Sequence, residues 1–407
     1  MTLLPEEEAA LAGIDPAALL AQVEAWCAVN SGSRNIEGLE ATAALLADAF
    51  APLGDVRYSD PAEASQMLPG GEIVPLVHGR NLHLVVRPQA RTRVLLTGHY
   101  DTVFPSDHPF QSLAWREPGI LNGPGVADMK GGIAVMLAAL NALESSPFAA
   151  DLGYEVVLNA DEEVSSLGSA PLLLEAARRV DAGLTFEPAL PDGTLAGARP
   201  GSGNFAIHIA GRAAHAGREP EKGRNAIVAA ADLTLRLAAL VAPDLKVNVA
   251  KIEGGGPNNV VPDNAVIRVN MRPATPEAEA RALATLDGAI AAVAGAHDVA
   301  VHRHGHFARP PKPLDANQLR LFHLVKAAGA DLGLPIGWRD AGGVCDGNNL
   351  AATGLAVVDT LGVRGGAIHS ADEYLIVESL GERARLAALL LLRIARQGFR
   401  RAGPTEL

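Results

Sequence analysis

Apolar positions recur along this chain in three rhythms, and each rhythm predicts a different element. Residues 16–53 repeat with helical spacing on either side of a polar stretch at Asn30–Asn35, so two amphipathic helices are expected, the second stopping at Leu53-Gly54. Continuous apolar runs follow at Asn81–Arg87, Thr92–Gly98, Tyr154–Ala160 and Ala182–Phe186. Such runs suit strands covered on both faces, as in a parallel sheet. Helical patterns lie between them, starting near Lys130 and spanning Ala170–Arg179. Strand and helix in alternation predict an α/β layer with a mostly parallel sheet flanked by helices.

The rhythm changes near Gly197. NFAIHIAG alternates with period two, the mark of a strand with one face in water. Helix Asn225–Val241, strand Leu245–Glu253, strand Ala265–Met271, helix Pro276–Ala294 and the alternating VAVHRHGHF complete a β-α-β-β-α-β order. That order predicts an inserted α+β, ferredoxin-like lid. Arg309-Pro310-Pro311-Lys312-Pro313 reads as a stiff linker, after which helix–strand alternation resumes. The expected organisation is residues 1–196 and 312–407 in one catalytic layer, with 197–311 inserted as lid and dimerisation unit.

Composition narrows the class. With 407 residues, 48% hydrophobic and 20% charged, the chain is too long for one core and too apolar for disorder. The balance of 34 basic against 46 acidic residues gives −12 and no basic block, which argues against nucleic acid. Cys27 and Cys345 are too few and too distant for a disulfide framework, so a reduced, cytoplasmic chain is expected. MTLLPEEEAALAGID places three glutamates where a leader would need basic residues, and no apolar run is long enough to span a membrane.

Five constellations carry candidate chemistry: Gly98-His99-Tyr100-Asp101, the Gly-rich turn ending in Asp128, Asp161-Glu162-Glu163, Phe186-Glu187-Pro188 and Gly365-Gly366-Ala367-Ile368-His369. Taken singly each has an ordinary explanation: a surface turn for the His-x-Asp, an N-cap for Asp128, a solvated turn for the acids. Each is expected to follow a strand of one sheet, where α/β folds collect ligands. Two histidines and three carboxylates, without cysteine, form a set for two divalent ions, with Zn favoured and Co or Mn as alternatives. Asp128, Glu163 and Glu187 bring −3, and two dications bring +4, so the ions would relieve a repulsion of about a few kcal/mol per pair. Asp101 can accept the second ring N–H of His99 and fix its tautomer.

HYDTVFP, GPGVADMKGG, NADEEVSSLGS, TFEP, GRAAHAG, NNVVPDNA…NMR and GGAIHSADE occur in this order from about residue 30 to 385. The chain thereby resembles the M20 metallopeptidases, and within them the glutamate carboxypeptidase (carboxypeptidase G2) branch. The resemblance implies Asp128 bridging two ions, His99 and Glu187 on one, Glu163 and His369 on the other. It implies Glu162 as general base, Asp101 as orienter of His99, and a cis peptide after Asp128. It also implies a homodimer in which His215 reaches the partner's site, and Asn259 and Arg272, on neighbouring lid strands, bind the substrate's carboxylate or carbonyl. Gly342 and Gly343 fall in the family's substrate loop, where Cys345 replaces a more usual Ser or Thr. The implied reaction is release of an amino acid, glutamate among the candidates, from a small peptide or N-acyl amino acid. A deacylase of the acetylornithine or succinyl-diaminopimelate type is the alternative, and a catalytically silent, metal-holding peptide-binding protein is the alternative of another class. His302, His304 and His306 invite a metal reading, but alternate positions on a solvated strand explain them more simply. Arg309 fits a linker as well as a contact to substrate.

Overall fold

A computed structural model of the chain describes residues 3–401. Its central sheet has six strands in the order Arg57–Ser59, Asn81–Val86, Leu152–Asn159, Thr92–His99, Ala182–Thr185, Ala356–Val358. The last four pair in parallel, and the first two join antiparallel at one edge. Leu152–Asn159 is buried at every position and Thr92–His99 at all but one, as their continuous apolar runs require. Helices Lys130–Glu144 and Glu378–Gln397 pack together against this sheet; the first is apolar almost all round and correspondingly buried. The preceding helices Pro16–Cys27 and Ile36–Phe50 begin at Asp15 and Asn35, whose side chains accept N–H groups of the first turn.

The inserted segment forms a second, antiparallel sheet in the order Leu245–Gly254, Asn264–Pro273, Ser202–Ala210, Ala300–Arg309. Helices Ala226–Ala238 and Pro276–His297 cover one face through a separate core that includes Ile207, Ile209, Leu233, Ile267 and Leu286. The opposite face departs from expectation. A hairpin of the catalytic layer, Ala64–Met67 with Ile73–Leu76, lies across part of it and buries Ala206 and Val266 beneath Met67. Both chain crossings between the layers meet at one place. Arg199 and Lys312 exchange backbone hydrogen bonds of 2.9 Å in each direction. Arg309 is the last residue of a lid strand rather than part of a linker.

A third, small sheet sits beside the helix Lys130–Glu144, in the order Gly365–Gly366, Tyr374–Ile376, Ile120–Asn122, Ala114–Glu117. Among the described residues no helix is long and apolar enough to cross a membrane.

Candidate active site

His99 ends a central strand, and its ring is held from both sides. Nδ1 lies 3.0 Å from the carbonyl oxygen of Asp101, and Nε2 lies 3.1 Å from Oδ1 of Asp128 and 3.7 Å from Oε1 of Glu187. His369 approaches the other oxygen: its Nε2 is 3.3 Å from Oδ2 of Asp128 and 3.1 Å from Oε2 of Glu163. Asp128 therefore stands between two imidazoles, with one further carboxylate beside each.

The five carriers come from two sheets, not one. His99, Glu163 and Glu187 follow strands of the central sheet, but Asp128 and His369 follow Ile120–Asn122 and Gly365–Gly366 of the small sheet. Strands of two or three residues leave too little alternation to be recognised in sequence. Nor is Asp128 an N-cap: Met129 occupies that position, and the Asp128–Met129 peptide is cis, as the resemblance implied. Glycine lets the helix that follows Asp128 close on the central sheet. A Cβ on Gly132 would lie 1.9 Å from the carbonyl oxygen of Phe186, so only glycine lets the helix start beside the strand end that carries Glu187. His369 itself has φ +63, a left-handed conformation uncommon for histidine.

Asp101 does more than face His99. Its Oδ1 lies 3.3 Å from Nδ1 of His99 and accepts the backbone N–H of Glu162 at 3.1 Å. Its Oδ2 accepts the N–H of Glu163 at 3.2 Å and the hydroxyl of Ser33 at 2.7 Å. One buried carboxylate thus fixes both the ring and the acidic loop.

Glu162 points at Arg309, whose Nη2 donates to Oε1 at 2.7 Å, while Nη1 donates to Asp346 at 2.6 Å. The sequence left Arg309 open between linker and substrate contact; its side chain is buried beside the acid expected to act as base. Glu373, also missed, accepts the N–H groups of Gly125, Ala127 and Asp128 at 3.0–3.2 Å and so shapes the Asp128 turn. Its one available signal was its position four residues beyond His369 in the same motif. Arg199 went unnoticed too; it pairs with buried Asp359 and donates to the Gly343 carbonyl at 3.1 Å.

Electrostatics test whether cations fit here. Burial raises the pKa of Glu163 to about 7, with Asp128 adding to it, and raises Glu162 and Glu187 as well. Hydrogen bonds to Asp128 and Glu163 lift His369 to about 11. Burial opposes protonation of His99, but Glu187, Asp101 and Asp128 outweigh it and hold that ring charged. Asp128 is desolvated too, yet its two imidazole partners pull it well below the usual carboxylate range. The protein by itself compensates this group only by protonating it. Donor atoms of His99, Asp128 and Glu163 lie within 4.8 Å of one another, as do those of His99, Glu162 and Glu187. In the second set Glu162 already has Arg309 as counter-charge, which leaves the other acids as the better donors. An oxygen- and nitrogen-only set of this composition fits two borderline dications.

A cleft of about 980 Å³ opens from these groups to the lid. Arg272, Gly342 and Gly343 line it, and Arg272 Nη1 donates to the Gly342 carbonyl at 3.1 Å. Cys345 lines it as well; its thiol is buried and pushed well above its usual pKa, so it stays neutral. His215 and Asn259 do not line it. His215 lies on the short ribbon Ala214–His215 with Val260–Val261, and Asn259 sits in the turn just before the second of these strands rather than on a strand beside Arg272. Both are outward-facing. His302 and His306 are exposed, and His304 is engaged with Ser65 at 3.0 Å.

Comparison with known proteins follows the same lines. Carboxypeptidase G2 of Pseudomonas sp. (strain RS-16) is 30% identical over 324 residues, covering 78% of this chain and 77% of its own. A succinyl-diaminopimelate desuccinylase of Xanthomonas oryzae pv. oryzae (strain MAFF 311018) is 29% identical over 326 residues, 74% of this chain and 83% of its own. Among solved structures, an M20 family metallo-carboxypeptidase from Sulfolobus solfataricus superposes with a TM-score of 0.70 at 13% identity, covering 94% of this chain and 100% of its own. A dinuclear metal-binding M20 peptidase from Bacillus subtilis superposes with a TM-score of 0.64 at 17% identity, over 94% and 98%. The model of peptidase family M20/M25/M40 matches residues 95–393, and the chain belongs to that family of metal-dependent hydrolases.

Proposed function

We propose that this chain is a dinuclear metallohydrolase that releases an amino acid with a free carboxylate from a small peptide or N-acyl precursor. The observation that carries the reading is the convergence of His99, Asp128, Glu163, Glu187 and His369 beside a carboxylate, Glu162, that is held by an arginine. Two ions would be held by Asp128 together with His99 and Glu187, and with Glu163 and His369. Zinc is the first expectation, cobalt and manganese the alternatives. Such ions polarise a carbonyl and lower the pKa of water.

The chain's own groups do the rest. Glu162 takes a proton from the attacking water and returns it to the departing amide nitrogen, a role worth roughly 10²–10⁴-fold. Arg309 holds that carboxylate in line, and Asp101 holds the loop that bears it. Arg272 binds the product-side carboxylate through its planar fork, with Gly342 and Gly343 lining the same end. Residues 197–311 serve as lid and as the surface of a homodimer, from which the partner supplies His215 to the developing oxyanion and Asn259 to the substrate. That assignment explains why both face outward here.

Glutamate-terminated substrates are the leading candidates, from the similarity to carboxypeptidase G2. The similarity to succinyl-diaminopimelate desuccinylases supports a second, deacylase reading. Assaying glutamate-terminated, acyl-ornithine and succinyl-diaminopimelate substrates side by side, with metal and with chelator, separates them. Glu162→Gln should keep the ions and abolish turnover; near-normal rates in that protein would reject Glu162 as the base.

A further inference from the structure

Beneath the hairpin Ala64–Leu76 lies a second cavity of about 520 Å³. The hairpin is tied across the lid sheet. Arg268 Nη2 donates to the Met67 carbonyl at 2.9 Å, Asn264 Nδ2 donates to the Pro69 carbonyl at 3.1 Å, and Met67 packs on Ala206 and Val266. Apolar side chains supply much of the wall: Met67 and Leu76 from the hairpin, Val164 and Leu167 from the catalytic layer, Ala206 from the lid.

This cavity adjoins the catalytic cleft along a thin partition. The loop that places Glu162 and Glu163 in the cleft continues directly into the cavity through Val164 and Leu167, and Ser165 borders both spaces. Asn204 and Asn270 also border both. At Ser165 itself lid and loop are joined by one long, exposed hydrogen bond, from Asn204 Nδ2 to Ser165 Oγ at 3.3 Å, while Arg309 anchors the flanking Glu162 and Ser166 on the cleft side. Ser165 has φ +81 and Ser166 φ +51, a backbone conformation that serine rarely adopts and that active-site loops retain for a purpose.

The two ends differ in chemistry. Arg272 and the Gly342–Gly343 turn lie at the polar end. Arg268, four residues back along the same strand and so about 13 Å away, borders the cavity. Of the charged or basic side chains at the cavity border, Arg268 is engaged by Glu253 and Met67, Arg34 by the Val77 carbonyl and His304 by Ser65, while Glu63 and His306 lie exposed at the rim. Apolar walls with engaged cations favour an uncharged occupant.

We infer that this cavity is the acyl-side subsite and that it receives a medium-length aliphatic acyl chain across the Asn204–Ser165 partition. The inference rests on the amide-hydrolase reading for which group faces the ions. The test is calorimetry on metal-loaded Glu162→Gln protein with N-acetyl-, N-butanoyl- and N-octanoyl-L-alanine and the matching L-glutamate series. Affinity should rise about tenfold or more from acetyl to octanoyl in at least one series. Gln66→Trp, on the exposed hairpin, and Ala206→Phe, on the lid, should each reduce that gain below about threefold while leaving acetyl binding nearly unchanged. Equal affinities along both series, no binding by any member, or a gain that survives both fillings overturns the inference. Amino-acid release by the native protein from short substrates would then still uphold the hydrolase reading. A chain-length gain without turnover of any substrate would sink the reading and spare the subsite.

Discussion

At the root of the lid, Asp359 accepts from Arg199 at 2.8 and 3.1 Å and lies 3.0 Å from Lys312, all three side chains being buried. Across the same cleft, Asp128, Glu163 and Glu187 have imidazoles as their direct ion-pair partners, and Arg199 reaches Glu187 only through its longer-range field. The first group is a closed account of charge: burial disfavours the Asp359 carboxylate, and its two cations more than offset that. The second is open: burial raises Glu163 and Glu187, while Asp128 stays ionised only because its two imidazole partners are themselves charged. Buried acids with protein cations belong to architecture; buried acids left to histidines need something from outside.

The largest break in this contrast should come from Asp128→Ala. Removing the carboxylate between the two imidazoles should strip both ions and take turnover to background, with the fold intact by circular dichroism. Elemental analysis of metal-soaked protein reads the first effect directly. Retention of two ions per chain would show that Asp128 is not the shared ligand.

Asp359→Ala attacks the other region and should act on stability instead. It leaves Arg199 and Lys312 buried without a counter-charge, at a cost of about 3–5 kcal/mol. Urea unfolding should report that loss, while metal content per folded chain stays unchanged. A shift below about 0.5 kcal/mol would mean that water reaches the pair and that the network is ornamental.

The same contrast explains what could be read from sequence. Fully buried strands such as Leu152–Asn159 declare themselves through a nearly continuous apolar run, in which only Glu155 and Asn159 are polar and both are hydrogen-bonded. His99, Glu163 and Glu187 were legible as groups beyond such strands. Asp128 and His369 were legible as motif residues but not as products of a separate small sheet, whose strands are too short for periodicity. The hairpin Ala64–Leu76 escaped for the same reason, with Pro75 inside one arm. Arg309, Arg199 and Glu373 escaped for another: each is a charged side chain whose meaning lies in a partner 147, 160 or about 245 residues away. Spacing along one chain carries no trace of such pairs.

Glu373→Gln is a subtler probe of the open group. The amide keeps one acceptor oxygen for the N–H groups that frame Asp128, but not two. Because Glu373 acts through the ligand's backbone, metal affinity should fall by roughly 10–100-fold with the ligands untouched. Competition with a chelator measures it, and unchanged affinity would reduce Glu373 to a packing residue.

The finest distinction is the pH response of the metal-free protein. Glu163, raised from 4.5 to about 7, and Glu373, raised to about 8, both by burial first, bind protons more tightly folded than unfolded. Between pH 4.5 and 8 the native state therefore holds more protons, so stability falls as pH rises. His369, raised from 6.5 to about 11 by its carboxylate partners, works in the same direction: its contribution is full below pH 6.5 and is lost as pH climbs toward 11. All three signs agree. Metal reverses them, because ligands must be deprotonated to bind it and a loaded site gains affinity as pH rises. Thermal melts from pH 5 to 8 should thus fall with pH in chelator and rise with pH in excess metal. Two parallel curves would mean that these acids are compensated by the protein alone, and the contrast between the two regions would disappear.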